Sequence, residues 1–397
     1  MKRRRFLQQI LLGSGVPLLG LNRLALAGEN SLTKRRLVLV ELAGANDGLN
    51  TLVPFSNDDY HRLRPTVGLS KHDVHPVTDS LGMHTSLEPL MRLWERGELA
   101  WVQGLGYPKA NRSHFKSIAL WESAGDGRRQ PQSNGWMTHA VEHQLARQVT
   151  DPHGISLSGD LSIFASESGR WLSTKSVNEL LQQKPPAPSA IDSTSTNTLA
   201  LLQQRLQTLD TTLTNLSLKL DSAQKRPAIP RFEGGGFGEQ LRQVSTMIAA
   251  GLDTPVYRVS LGGFDTHKNQ RARHQRLLKT LAVSLSSFSS ALRDLGEWDN
   301  TLVMTYSEFG RRAGENRSGG TDHGTAAPHL LLGGSVAGGL YGGAPDLADL
   351  PDGDPLFTMD YRALYHSMLV DGLGAQSGSF TLDKFADQRL QGLVRTG

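Results

Sequence analysis

Leu37-Val38-Leu39-Val40-Glu41-Leu42 runs straight into Ala43-Gly44-Ala45-Asn46-Asp47-Gly48. Nearly every residue of the first stretch is apolar, with no alternation. A strand of that kind is buried on both faces, which argues for a parallel sheet covered by helices. The second stretch is a small, polar turn at the strand's carboxyl end. Residues 99–104, 255–260, 301–306 and 329–332 carry similar short apolar runs and read as further strands.

Helical patterns lie between them. Thr85-Ser86-Leu87-Glu88 reads as a capping box leading into 89–96. Residues 113–124 and 237–252 are apolar at helical spacing. Residues 270–295 place Leu277, Leu281, Leu285, Phe288 and Leu292 on one face. Strands alternating with helices predict an α/β fold, a mostly parallel sheet sandwiched by helices. Ligand sites in such sheets gather at the carboxyl ends of the strands.

Residues 189–236 depart from this alternation. Leu199, Leu202, Leu206, Leu209, Leu213, Leu216 and Leu220 step by threes and fours. This is an expected helical insertion, read either as a helical hairpin or coiled coil, or as one amphipathic helix packed on the domain. It is also the expected place for a protein partner.

Residues 1–27 read as an export signal. Met1 to Arg5 is basic, a mildly apolar stretch follows, and Ala25-Leu26-Ala27 is a cleavage site. Arg3-Arg4-Arg5-Phe6-Leu7 fits the twin-arginine pattern. The expected domain is then 28–397, periplasmic or secreted. Cleavage after Ala27 removes five basic residues and no acidic one, so the formal charge falls from +4 to −1. The basicity belongs to the signal, and neither nucleic acid nor an anionic membrane is expected as a partner. Beyond the signal there is no apolar run of membrane length.

The candidate site residues sit at strand ends. Asp47 closes the first strand. Asp265 and His267, in Gly262-Gly263-Phe264-Asp265-Thr266-His267, follow the strand at 255–260. Glu308, in Ser307-Glu308-Phe309-Gly310-Arg311, follows the strand at 301–306, and a Glu there has no packing purpose. Asp322 and His323 lie between Gly320 and Gly324, where the backbone is expected to approach something closely. Carboxylates and imidazoles converging in this way suit Zn, Mn or Mg. The chain has no cysteine, so thiolate ligands are excluded. Ser113 reads as a helix N-cap or as a nucleophilic hydroxyl facing helix amides. Arg112, Arg311 and Arg312 could bind an oxyanion, and His84 is a pocket residue or merely exposed. There is no G-x-S-x-G elbow, no H-E-x-x-H helix, no P-loop and no G-x-G-x-x-G turn.

The motifs Gly44-Ala45-Asn46-Asp47-Gly48-Leu49-Asn50, Arg112-Ser113-His114-Phe115, Gly263-Phe264-Asp265-Thr266-His267, Ser307-Glu308-Phe309-Gly310-Arg311 and Gly320-Thr321-Asp322-His323-Gly324, taken in order, resemble a bacterial family known as domain of unknown function 1501. That family is placed in the alkaline-phosphatase-like superfamily. The resemblance implies a metal-dependent hydrolase of phosphate or sulfate esters. The alternative is a non-catalytic periplasmic binding or assembly factor with a degenerate site. It further implies Asp47, Asp265, His267 and His323 as metal ligands, Glu308 at a second, weaker position, and Ser113 as nucleophile. Arg112 or Arg311 would stabilise the transition state. An alternative alignment makes Asp322-His323 the superfamily's Asp-His element. Phe309 stands where that superfamily has a histidine, so one tight metal site at most is expected.

Overall fold

The computed structural model describes residues 35–126, 135–141, 151–165, 170–182, 198–223, 228–378 and 381–395. The expected signal at 1–27 lies outside the described residues. The central sheet has nine strands: β1 (Arg36–Ala43), β2 (Leu99–Gly106), β3 (Gly154–Ser156), β4 (Trp171–Ser173), β5 (Val256–Gly262), β6 (Thr301–Tyr306), β7 (Ala327–Leu332), β8 (Gly339–Tyr341) and β9 (Met359–Asp360). Their order is β8-β2-β7-β6-β1-β5-β3-β4, with β9 also on β2. All neighbouring pairs are parallel except the two made by β7, which runs antiparallel between β2 and β6.

Strand β1 lies at the centre, with Val40 opposite both Val259 and Thr305. Its side chains divide between two cores. Val38, Val40 and Leu42 join α2 (Thr198–Ala223), α3 (Gly235–Ala249) and α4 (Gln270–Asp294) on one face. Leu37 and Leu39 meet α1 (His114–Ser123) and α5 (Tyr361–Ser367) on the other. This is why β1 is continuously apolar: both faces are buried. Each such side chain contributes about 1.5–3 kcal/mol.

Two expectations change in detail. The leucine-rich stretch is one helix, α2, among the described residues. Leu213, Leu216 and Leu220 seat it on the larger core, so the single-helix reading describes residues 198–223. The expected capping box does not form. Thr85–Leu90 is a 3₁₀ turn whose N-cap is His84, and the His84 ring accepts from the Ser86 amide at 2.9 Å. Among the described residues no helix is long and apolar enough to cross a membrane.

Candidate metal centre

Because β1, β5 and β6 are parallel neighbours, the segments leaving them emerge on one edge of the sheet. Gly44 follows β1, Asp265 lies just past β5, and Glu308 lies just past β6. Gly44 adopts φ +108°, and a Cβ there would lie 2.5 Å from the Asp265 amide nitrogen. A side chain is thus forbidden where two strand ends close on each other. With that approach made, the Gly44 amide donates to Glu308 Oε1 at 2.8 Å and the Ala45 amide donates to Oε2 at 2.9 Å. Burial would raise the Glu308 carboxyl. The hydrogen bonds from His114 and from these amides outweigh it and hold the group ionised below its usual range.

Three histidines meet in front of this carboxylate. His114, the first residue of α1, donates from Nδ1 to Glu308 Oε1 at 3.1 Å. His323 donates from Nδ1 to the Arg112 carbonyl at 2.9 Å. His267 donates from Nδ1 to Asp322 Oδ1 at 3.1 Å. A carbonyl or a carboxylate can only accept, so each of these contacts draws a proton from Nδ1, and in the neutral ring this leaves Nε2 bare. The three Nε2 atoms crowd together around His323 and Asp265. His323 Nε2 is 3.1 Å from His114 Nε2 and 2.9 Å from His267 Nε2. Asp265 Oδ1 completes the group, 3.0 Å from His267 Nε2, 3.3 Å from His323 Nε2 and 3.7 Å from His114 Nε2.

This packing sets acceptor against acceptor. Lone pairs about 3 Å apart repel unless a proton or a cation lies between them. Zinc bonds nitrogen and oxygen at about 2.0–2.2 Å, so two of its ligand atoms cannot be more than about 4.4 Å apart. The measured separations satisfy that limit. His114, Asp265 and His323 form the group whose ligand atoms all lie within 4.8 Å of one another. His267 lies beside Asp265 and His323, outside that group of three. The Glu308–His114 and Asp322–His267 pairs are the outer carboxylates that ordinarily fix the tautomer of metal-bound histidine. The donor set fits a divalent metal ion.

The local electrostatics differ from residue to residue. Burial works against the Asp265 carboxylate, but its hydrogen bond and charge contact with Arg311 bring it down to about 2. It remains ionised at any ordinary pH. The hydrogen bond to Glu308 raises His114, while burial lowers His323. The side chains of Asp265 and His267 are 47% and 41% exposed, so the group opens to solvent on one side.

Several residues expected at the site take other places. Asp47 does not face the histidines. Both its oxygens are held by Arg64, at 2.6 and 3.0 Å, and Gln270 donates to Oδ2 as well. Arg64 is wholly buried and supplies the compensating charge a metal would have supplied. Burial would raise Asp47, and the Arg64 charge pulls it below the usual range instead. Arg311 is committed to acceptors within the fold. Its guanidinium binds the carbonyls of Gly44, Ala45, Phe264 and Thr321 and clamps Asp265 at 2.6 Å. Arg112 pairs with Asp354, and it reaches the site through its carbonyl. Ser113 is the N-cap of α1, but its hydroxyl caps nothing. Its amide donates to Asn111 Oδ1 at 2.9 Å. Glu308 lies behind His114. Asp322 sits behind His267, also bound by Asn316 at 3.0 Å. Phe309 packs against the His114 and His323 rings, 5.0 and 4.8 Å between centroids.

Asp322 and His323 belong to a short strand, Thr321–His323, paired antiparallel with Arg311–Glu315. A Cβ on Gly320 would fall 2.3 Å from the His267 carbonyl carbon, so the close approach expected of this glycine is to the chain that carries His267.

Sequence reasoning missed His114 as a converging side chain. The signal was present in Arg112-Ser113-His114-Phe115, where the serine drew the attention.

The chain belongs to the family described as "Protein of unknown function (DUF1501)", whose model matches residues 34–373. No curated protein matches it. Among solved structures it is similar to the lipoteichoic acid synthase LtaP from Listeria monocytogenes, with 10% identity and a TM-score of 0.39, covering 89% of this chain and 76% of that one. It is similar to the PsFucS1 sulfatase from Pseudoalteromonas sp., with 11% identity and a TM-score of 0.39, covering 89% and 70%. It is also similar to the alkaline phosphatase from the Antarctic bacterium TAB5, with 12% identity and a TM-score of 0.34, covering 77% and 94%.

Proposed function

We propose that this chain is an exported, metal-dependent hydrolase of phosphate or sulfate esters built on a single tightly held ion. The observation that carries the reading is the convergence of three histidine Nε2 atoms and one carboxylate oxygen, each held by a partner behind it. His114, Asp265 and His323 would hold the ion, with His267 as a fourth, more exposed ligand. Three nitrogens favour zinc, then manganese, over magnesium. A second ion is disfavoured by Arg64, which already neutralises Asp47.

When bound, the ion supplies Lewis acidity toward an ester oxygen. The remaining work falls to the chain itself. Ser113 stands one residue before His114 with an uncommitted hydroxyl, which suits a nucleophile or a substrate anchor. The free amides at the start of α1 favour negative charge there. Asp322 holds the His267 ring so that Nε2 faces Asp265 and His323 at the exposed edge. Glu308 and Arg311 keep His114 and Asp265 from turning away. Residues 1–27 would direct twin-arginine export, and α2 would offer the surface for a protein partner.

One observation favours the second reading, a non-catalytic binding or assembly factor: Arg112 and Arg311 are both committed to protein partners. One experiment separates the two. The mature protein, produced with zinc and manganese present, is assayed for bound metal and against phosphate monoesters, phosphate diesters and sulfate esters. The hydrolase reading expects about one ion per chain, turnover of one ester class, and loss of both metal and turnover in Asp265→Ala/His323→Ala. Metal without turnover selects the binding factor, and neither property rejects the site.

A further inference from the structure

A second cavity, of about 260 Å³, lies among the segments around Leu49, Leu81, Gln103, Ala327 and Leu347. Its floor is buried and mainly apolar: Leu52 and Ala327 are 3% and 4% exposed. Its rim is open, because Ser56, Ser80 and Ala344 are exposed. Arg311 is the one charged residue in the lining, and its guanidinium is already spent on Asp265 and on carbonyl oxygens. A charged ligand would therefore find no counter-ion.

One group in the wall is unexplained by the fold. Gln103, in β2, is only 6% exposed, and its carboxamide makes no hydrogen bond among the described residues. Neither carboxamide atom is among the wholly buried unpaired atoms, so although the residue is buried its amide stays open to the cavity, where a ligand group can take the place of water. Neighbouring polar groups do not pair with it: the Asn57 side chain accepts from the Tyr60 amide instead. Mostly apolar walls with one well-placed polar group are the usual make-up of a small-molecule pocket, although this one is slightly smaller than the common 300–1,000 Å³.

We infer that this cavity is a binding site for a small uncharged molecule, an apolar ring or short branched group bearing one hydroxyl or carbonyl that pairs with the Gln103 carboxamide. Binding there is independent of hydrolysis at the histidine cluster and is read without it.

The test uses p-cresol and its non-hydrogen-bonding analogue p-xylene, titrated by ligand-detected NMR against the mature protein. Wild type should bind p-cresol about fivefold more tightly than p-xylene, the range of one modest hydrogen bond. Gln103→Leu should bring the two within twofold of each other. Ala344→Trp, a change at the exposed rim, should weaken p-cresol at least tenfold while leaving the thermal transition and bound metal unchanged. No binding of either probe to wild type at millimolar concentration would overturn the inference, as it would show a cavity that holds only water. An unaltered p-cresol affinity in Ala344→Trp, or a preference that persists in Gln103→Leu, would overturn it equally.

Discussion

Glu308 Oε1 accepts the Nδ1 proton of His114 at 3.1 Å, across 194 positions of sequence. That contact determines which nitrogen of His114 is presented to its neighbours. A glutamine at 308 keeps the shape but can offer either a donor or an acceptor. Glu308→Gln should therefore weaken zinc binding by about 10–100-fold, the usual effect of losing an outer carboxylate. Competition titration with a chelating dye measures it. Unchanged affinity would show that His114 is not a ligand.

Ser113 and the histidines are separable. Ser113→Ala should leave metal content and thermal stability at wild-type values, because its hydroxyl makes no capping bond. If the hydroxyl is the nucleophile, ester turnover should fall by at least about 100-fold, a loss of about 2.7 kcal/mol in transition-state stabilisation. A variant with full turnover would remove Ser113 from the mechanism.

Arg64 and Asp47 form a wholly buried pair. Arg64→Met strands a buried carboxylate and should cost about 3–5 kcal/mol in urea unfolding. Asp47→Asn/Arg64→Met should recover part of that loss. Both variants should still bind one ion. A lower metal content in Asp47→Asn alone would restore Asp47 to the ligand set.

Glu122 carries a pH dependence of its own. Burial raises its carboxyl to about 8, partly opposed by Arg258 at 2.8 Å and reinforced by Asp160 and Glu41. The unfolded value is near 4.5. Between those limits the folded chain keeps a proton that the unfolded chain has lost. This contribution therefore makes the fold less stable as pH rises from about 4.5 to 8, by at most about 1.4 kcal/mol per pH unit. Glu122→Gln should flatten that slope in unfolding measurements at pH 5, 6, 7 and 8. An equal slope in both proteins would refute the assignment.

Replacing Arg3 and Arg4 together by Lys should hold the precursor in the cytoplasm, followed by fractionation and immunoblotting. Normal delivery in that variant would rule out the twin-arginine route.

The parallel core was legible because β1, β5 and β6 are buried on both faces and so are mostly apolar, with Arg36, Glu41 and Arg258 the charged exceptions. The helix Gln270–Asp294 was legible because its apolar stripe is long and regular. The edge on which the candidate site lies followed from Asp265, His267 and Glu308 standing just beyond strands. His114 was not legible. A histidine in the first turn of a helix looks like any surface residue until the direction of that helix is known. Asp47 misled for the opposite reason: a carboxylate at a strand end resembles a ligand, and its true partner, Arg64, comes from a separate helix-to-turn segment 17 residues on. The useful clue was Glu308, a buried acid that needed a proton donor from elsewhere in the chain.

Arg311 ties the carbonyls of Gly44, Ala45, Phe264 and Thr321 to the carboxylate of Asp265. Three stretches far apart in the chain, 44–45, 264–265 and 311–321, must have arrived before that knot can close. His114 and His323, 209 positions apart, must be brought together as well. A nascent or truncated chain thus has no assembled site, and an ion that binds only the finished structure stabilises it by mass action. If the chain binds metal and is exported as proposed, metal uptake would be a certificate of completed folding, available before the protein leaves the compartment where it was made.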